Sequence, residues 1–309
     1  MRTIAVINQK GGVGKTTTVA NVSAALAMAG AKVAVIDLDP QAHLTIHFGL
    51  QPEQIELSTY HVLTQSTAFD DVLTAARENL YILPANIDLV GAETELVSVV
   101  GRETILREAI KHSAAKLDYI VIDCPPSLGL LTLNALAAVN EIIIPLLPHF
   151  LALQGLGKLL QTVDLVGKRI NSNLKVTAIL LCMFDRRTSL SSEIKADIEQ
   201  FLNSARNTDF PWADAHIMPI QVRCNVKLAE APSYGKTIFE YEQDCNGAID
   251  YQRVAEYIQN PERVIAKLTE DNDQDTSREN FRLAGEPLPS TSAMPQGSTA
   301  HDDVSKPLE

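Results

Sequence analysis

The sequence predicts an α/β fold, a doubly wound and mostly parallel sheet, on three observations. Short β-branched runs alternate with longer helical stretches, the pattern of βαβ units. Several runs are apolar along their whole length, such as Ile-Val-Ile at 120–122 and Ile-Ile-Ile at 142–144, as strands buried on both faces are. The first run ends in a glycine-rich turn that opens at once into a helix.

The expected strands are Thr3–Asn8, Lys32–Asp37, Leu80–Leu83, Tyr119–Asp123, Glu141–Pro145, Val176–Met183 and His216–Ile220. Helical patterns lie between them at Lys15–Ala29, Leu89–Ala114, Leu130–Val139, Gln154–Ile170, Ser191–Ser204 and Gly247–Leu268. Seven strands with interleaved helices make one domain over residues 1–268, and no internal repeat suggests a second.

The remainder, 269–309, reads as an acidic disordered tail. From Glu270 to Glu309 there are nine acidic and three basic residues, a net of −6 out of −12 for the chain. Four prolines (Pro287, Pro289, Pro295 and Pro307) interrupt any helix there, and so little apolar surface cannot offset the entropy of ordering. No apolar run reaches the roughly 18 residues that cross a bilayer. The start, Met-Arg-Thr-Ile-Ala-Val-Ile-Asn, is not a signal peptide. Cys124, Cys182, Cys224 and Cys245 have neither zinc nor disulfide spacing. A soluble, reduced, cytoplasmic protein is expected.

The turn after the first strand reads Asn8-Gln9-Lys10-Gly11-Gly12-Val13-Gly14-Lys15-Thr16-Thr17. Glycines let backbone N–H groups approach an anion, and the positive end of the following helix adds to the field. Lys15 can reach β- and γ-phosphates, and the Thr16 hydroxyl can ligate Mg²⁺. The standard GxxxxGK[ST] spacing fails at Gln9; KGGxGK[ST] stands instead, with a second lysine, Lys10, at the loop entrance.

That loop resembles the deviant Walker A motif of the ParA/MinD ATPases, within the P-loop NTPase fold. The resemblance runs through residues 2–268. It extends to Val35-Ile36-Asp37-Leu38-Asp39-Pro40-Gln41, Ile122-Asp123-Cys124-Pro125-Pro126-Ser127-Leu128, Leu131–Leu136 and Leu228-Ala229-Glu230-Ala231-Pro232-Ser233-Tyr234-Gly235-Lys236, and is nearest to chromosomal, Soj-like members. It implies ATP and Mg²⁺ as cofactors. Residues 10–17 (Lys10, Gly11, Gly12, Val13, Gly14, Lys15, Thr16 and Thr17) would hold the phosphates. Thr16, Asp39 and Asp123 would serve the metal, with Asp39 in switch I positioning the attacking water. Asp37, two residues earlier on the same strand face, can ligate or support. Lys10 would cross to a second subunit's ATP, making the ATP form a homodimer in the manner of an arginine finger. Two departures stand out: Ala42-His43 where relatives often have Gly-Asn, and Arg223-Cys224-Asn225 where many have Pro-Arg-Asn. Asn225 remains a candidate adenine contact.

Bulk charge argues against DNA, so that reading rests on local groups. Arg186, Arg187, Arg223 and Lys227 fall in segments that, by resemblance, supply sequence-independent DNA contact; Lys195 and Lys236 lie nearby. The first strand begins within a few residues of Met1, so an operator-reading helix-turn-helix ahead of it is not expected. The resemblance implies a nucleoid-associated partitioning ATPase discharged by a ParB-type partner. Alternatives are a positioning ATPase for protein cargo or, weaker still, a metabolic enzyme. A MinD-like membrane ATPase is disfavoured, because the tail is acidic and proline-broken rather than basic and amphipathic.

Overall fold

The parallel strands bury both faces, and the buried residues divide by parity. Ala5, Ile7, Ala34, Ile36, Ile120, Ile122, Ile142 and Ile144 share one core with the helices Leu130–Ala138 and Ala152–Arg169. The alternating Ile4, Val6, Val33, Val35, Val121 and Ile143 are equally buried on the other side, where the helices Lys15–Met28 and Asn246–Gln259 pack on each other. This is the doubly wound architecture expected. The computed structural model describes residues 1–149, 151–185, 187 and 189–267. The tail expected at 269–309 lies outside them, and the elements below belong to the unit Met1–Val264.

The strands are β1 (Arg2–Val6), β2 (Val33–Asp37), β3 (Thr74–Arg77), β4 (Leu80–Leu83), β5 (Tyr119–Asp123), β6 (Glu141–Leu146), β7 (Lys175–Phe184), β8 (His216–Ile217) and β9 (Val222–Arg223). Their order is β3-β4-β2-β5-β1-β6-β7-β8, with β9 also on β7; all pairs are parallel except β3 with β4. The chain leaves β1 toward β2 on one side and later reaches β6 on the other. The winding therefore reverses at β1, and a ligand crevice is expected beyond its carboxyl end.

Among the described residues nine strands stand where seven were expected. β3 is the first arm of a hairpin turned at Asn79 (φ 56°), and its Thr-Ala-Ala-Arg, exposed at Thr74 and Ala75, carries no strand pattern. β9 is two residues long, and β8 is shorter than the run His216–Ile220. The helix expected over Leu89–Ala114 breaks into Leu89–Glu95 and Ile105–His112, joined by two 3₁₀ turns. Gly101 at φ 75°, behind Val99-Val100, causes the break. The final expected helix is interrupted at Asn260, which precedes Pro261 and takes an extended φ of −148°, and helix resumes over 261–267. Among the described residues no helix is long and apolar enough to cross a membrane.

Candidate phosphate-binding site

The loop that follows β1 is tied down at its entrance. Asn8 Nδ2 donates to the Pro145 carbonyl at 2.7 Å, and Asn8 Oδ1 accepts from the Lys10 amide at 3.0 Å. Gly12 and Gly14 take left-handed φ values of 72° and 91°. A Cβ on Gly14 would sit 3.6 Å from Cys182 Sγ, an ordinary contact, so backbone conformation rather than crowding demands glycine there. The helix Lys15–Met28 begins directly behind it, with its positive end on the loop. Lys15 is buried along its stem and donates from Nζ to the Lys10 carbonyl at 3.4 Å, folded across the loop that it would serve.

Beneath the loop, Thr16 Oγ1 donates to Asp123 Oδ2 at 2.6 Å. Asp123 Oδ1 is buried and has no hydrogen-bond partner among the described residues. Asp37 lies abreast of Asp123 in the β2–β5 register. Burial, then the charge of Asp37, pushes the Asp123 carboxyl well up, against the pull of Thr16 and Lys15. Burial likewise raises Asp37 to about 7, against three donors: Thr45 N at 2.9 Å, Thr45 Oγ1 at 2.8 Å and Asp39 N at 3.1 Å. An orphaned carboxylate oxygen beside a hydroxyl fits a divalent cation. Among the described residues no group of three or more His, Cys, Asp or Glu can chelate a metal alone. A Mg²⁺ site built from few protein groups plus phosphate and water matches that donor set.

Asp37 is thus a buttress: it anchors the segment after β2 through Thr45, whose hydroxyl also accepts from the Ala85 amide at 2.9 Å. Asp39 is half-buried, and its Oδ1 accepts from the Gln41 amide at 3.0 Å. Gly11, Gly12, Gly14, Lys15, Thr16 and Thr17 line one wall of a cleft of about 680 Å³, and Asp39, Pro40, Gln41, His43, Ile46 and His47 line the other. Val13 is in the core at 2% exposure and anchors the loop rather than lining the cleft. Asn225 caps the helix Val226–Glu230, accepting from the Lys227 amide at 2.9 Å, and is not among the cleft's lining residues. Sequence reading missed Asn8, Thr45 and His47; none carries a motif, since each acts through tertiary contacts.

Lys10 does not turn toward its own cleft. Its Nζ meets His149 Nε2, in the loop after β6.

A family model described as an AAA domain matches residues 1–176. The sporulation initiation inhibitor protein Soj of Bacillus subtilis is 40% identical over 256 residues, 82% of this chain and 97% of its own. The chain belongs to the ParA/MinD family of deviant Walker A ATPases. The chromosome partitioning protein ParA of Myxococcus xanthus, in the same family, is 40% identical over 251 residues, covering 81% of this chain and 85% of its own. Among solved structures, cobyrinic acid a,c-diamide synthase from Mycobacterium smegmatis with bound ADP and magnesium superimposes with a TM-score of 0.71 at 34% identity, covering 84% of this chain and 94% of that one.

The segments that the ParA resemblance marks for DNA contact come together, because β9 pairs β7 with Phe184 beside Arg223. Their described basic side chains are occupied within the chain. Arg187 pairs with Asp185 at 2.8 Å, Lys227 with Glu230 at 3.0 Å, and Arg223 grips the 5%-exposed Asp250 through both Nε and Nη2. Lys195 Nζ lies 3.7 Å from Glu199. Arg186 lies outside the described residues.

Proposed function

We propose that this chain is a partitioning ATPase that binds ATP with Mg²⁺, dimerises in that state and holds double-stranded DNA without sequence preference until a ParB-type partner discharges it. Its place of work is the nucleoid, and its cargo a chromosome or plasmid. The observation that carries the reading is the Thr16–Asp123 pair, with its orphaned carboxylate oxygen, beneath a loop bearing lysines at both ends. Relatives named Soj and ParA support it over most of the chain.

In this reading residues 11–17 and Lys15 hold the phosphates, while the Thr16 hydroxyl and Asp123 hold Mg²⁺. The ion, when bound, neutralises charge on the transferring phosphoryl group. Asp39 orients the attacking water from the opposite wall of the cleft. Lys10 points away from its own cleft, as a group serving a second subunit must. Asn225, as N-cap, would position the segment beside the base rather than read it alone. The likeness to a diamide synthase favours a second reading, in which ATP is spent on amide formation.

Lys15→Ala should abolish nucleotide binding. Asp39→Ala should keep ATP and accumulate a dimer; hydrolysis by it at the wild-type rate removes the switch I assignment. Mobility shifts on two unrelated duplexes with ATP, ADP or no nucleotide decide the larger question. ATP-dependent retardation of both duplexes supports partitioning. No shift at low salt sinks the DNA part and leaves the synthase reading ahead.

A further inference from the structure

The cleft wall opposite the phosphate loop is a pinned frame that leaves His43 free. It is formed by the segment after β2, where the helix His43–His47 follows the turn 39–42. Leu44, Thr45 and His47 of that helix are buried, and Asp37 holds Thr45 through both its amide and its hydroxyl. The Ala42 amide closes the turn by donating to the Asp39 carbonyl at 2.8 Å, and the Ala42 carbonyl accepts from the Ile46 amide at 2.9 Å. Ala42 is itself buried at φ 54°, a left-handed backbone that alanine adopts only at a cost. Such strain persists where the surroundings enforce it, and it gathers at sites that handle a ligand. Here it delivers His43 to the cleft wall, exposed and hydrogen-bonded to no described residue. Ile46, the other exposed residue of the helix, has no polar side-chain group to offer. Gln41 is exposed as well, but it lies on the turn before the strained residue and not on the pinned helix.

The sheet decides which part of a nucleotide this wall meets. Asp37 is abreast of Asp123 in the β2–β5 register, so the chain leaving β2 starts beside the Thr16–Asp123 pair. A metal and the last phosphates of a nucleotide meet at that end of the cleft. Loop amides and Lys15 approach the phosphates from one wall. Across the gap stand Asp39, whose carboxylate repels a phosphate, and His43, which keeps at least one N–H donor in either protonation state. We propose that His43 donates from its ring to the terminal phosphate of ATP, and so lets the chain tell ATP from ADP by a residue outside the loop 11–17. The proposal rests on the ATP reading above and adds to it the residue that senses which nucleotide is bound. A donor at this point also offsets the repulsion between the Asp39 carboxylate and the phosphate oxygens. Because Thr45 ties the same helix to Asp37, the contact links the terminal phosphate to the end of β2.

Calorimetry on the full chain and on His43→Ala tests this, with Mg-ADP and with a non-hydrolysable ATP analogue plus Mg²⁺. Protein concentrations are kept where light scattering reports monomer, so that association does not enter the affinities. His43 is exposed, and the variant should melt as wild type does. Its affinity for the analogue should fall about 10–100-fold, the worth of one hydrogen bond to a charged group. Its affinity for ADP should stay unchanged. A second measurement uses unaltered protein: the ring signals of His43 by NMR, assigned with the same variant, should shift with the analogue and stay still with ADP. A fall shared equally by both nucleotides places His43 on a group that they have in common, or on the frame alone, and overturns the proposal. Unchanged affinity for both, with the ring unmoved, overturns it and leaves the ATP reading intact. Wild-type protein that binds neither nucleotide overturns the ATP reading and this proposal with it.

Discussion

Asp37 and Asp123 close neighbouring parallel strands side by side, and both carboxyls are buried. The fold therefore holds two acids where one charge is already costly. Burial raises both, Asp37 to about 7 and Asp123 well above its ordinary value, and the charge of Asp37 raises Asp123 as well. An acid with a higher pKa folded than unfolded binds its proton more tightly in the folded chain. The stability that this pair contributes is therefore fullest near pH 4 and falls as pH rises to 7 and beyond. A cation at Asp123 offsets the repulsion only where the carboxyls are ionised. Mg-ADP, compared with ADP in chelator, should raise Tm more at pH 8 than at pH 5.5. Asp123→Asn keeps an acceptor for Thr16 and should raise the nucleotide-free Tm at pH 8 by a few degrees, about 2–4 °C for each kcal/mol relieved in a domain of this size. It should also erase the Mg²⁺-dependent part. Thermal melts at the two pH values check this, and equal Mg²⁺ effects at both would refute the pairing argument.

Gly49 and Gly235 join the segment after the helix His43–His47 to the Ala231–Tyr234 turn by direct backbone approach. A Cβ on Gly235 would sit 2.6 Å from Gly49 Cα, and φ at Gly235 is 62°. Arg77 reinforces the junction, donating to the Gly235 carbonyl at 2.8 Å and the Phe48 carbonyl at 3.3 Å. Gly235→Ala should cost the backbone penalty of about 1–2 kcal/mol plus about 1–3 kcal/mol of overpacking. Gly30→Ala is the control: φ is 92° with open space around it, so only the first cost applies. Urea unfolding of both variants separates the two, and equal losses would show that the close approach relaxes freely.

Ala42 stands at φ 54° while 2% exposed, a conformation and a burial that make opposite demands. Glycine there would relieve about 1–2 kcal/mol of left-handed strain. It would also lose roughly 0.8 kcal/mol of methyl burial and about 0.4–1 kcal/mol through the unfolded chain. Ala42→Gly should thus fall within about 1 kcal/mol of wild type. Ala42→Val, β-branched at positive φ, should cost more than about 2 kcal/mol. Chemical denaturation measures both; a Val variant as stable as wild type would remove strain from the account of the loop after β2.

The same residue shows how far the sequence could be read. The departure from Gly-Asn was visible at 42–43, but only the backbone angle reveals that alanine holds a glycine conformation. The loop 10–17, Thr16 and Asp123 were legible because phosphate chemistry fixes residue type and spacing locally. Five of the seven strands kept nearly their expected limits, because apolar runs buried on both faces leave little choice of register. Asn8, Thr45 and His47 were invisible: each gets its role from a partner more than 7 residues away, Pro145, Asp37 and Glu240 respectively. The Leu89–Ala114 helix failed for the opposite reason, since apolar periodicity continued through a glycine that local sterics made a hinge.

The basic segments yield the last prediction, because the structure separates their residues by partner. Arg223 is bound through side chain and amide to Asp250, which is buried, so removing the guanidinium strands a carboxylate in the core. Arg223→Ala should therefore lower Tm first, and any loss of DNA binding should track the loss of folded protein. Arg187 and Lys227 hold exposed partners, Asp185 and Glu230. Such pairs are screened by salt and exchange readily for a phosphate. Arg187→Glu and Lys227→Glu should leave Tm and ATP affinity nearly unchanged and weaken binding to unrelated duplexes alike. Each lost phosphate contact should reduce the slope of log affinity against log salt by about 0.9. Mobility shifts with ATP across a salt series, run beside thermal melts, test all three variants together. If Arg223→Ala stays folded and loses binding with an unchanged melt, Arg223 is a contact residue and its grip on Asp250 is incidental. If Arg187→Glu and Lys227→Glu bind with the wild-type slope, neither residue contacts DNA.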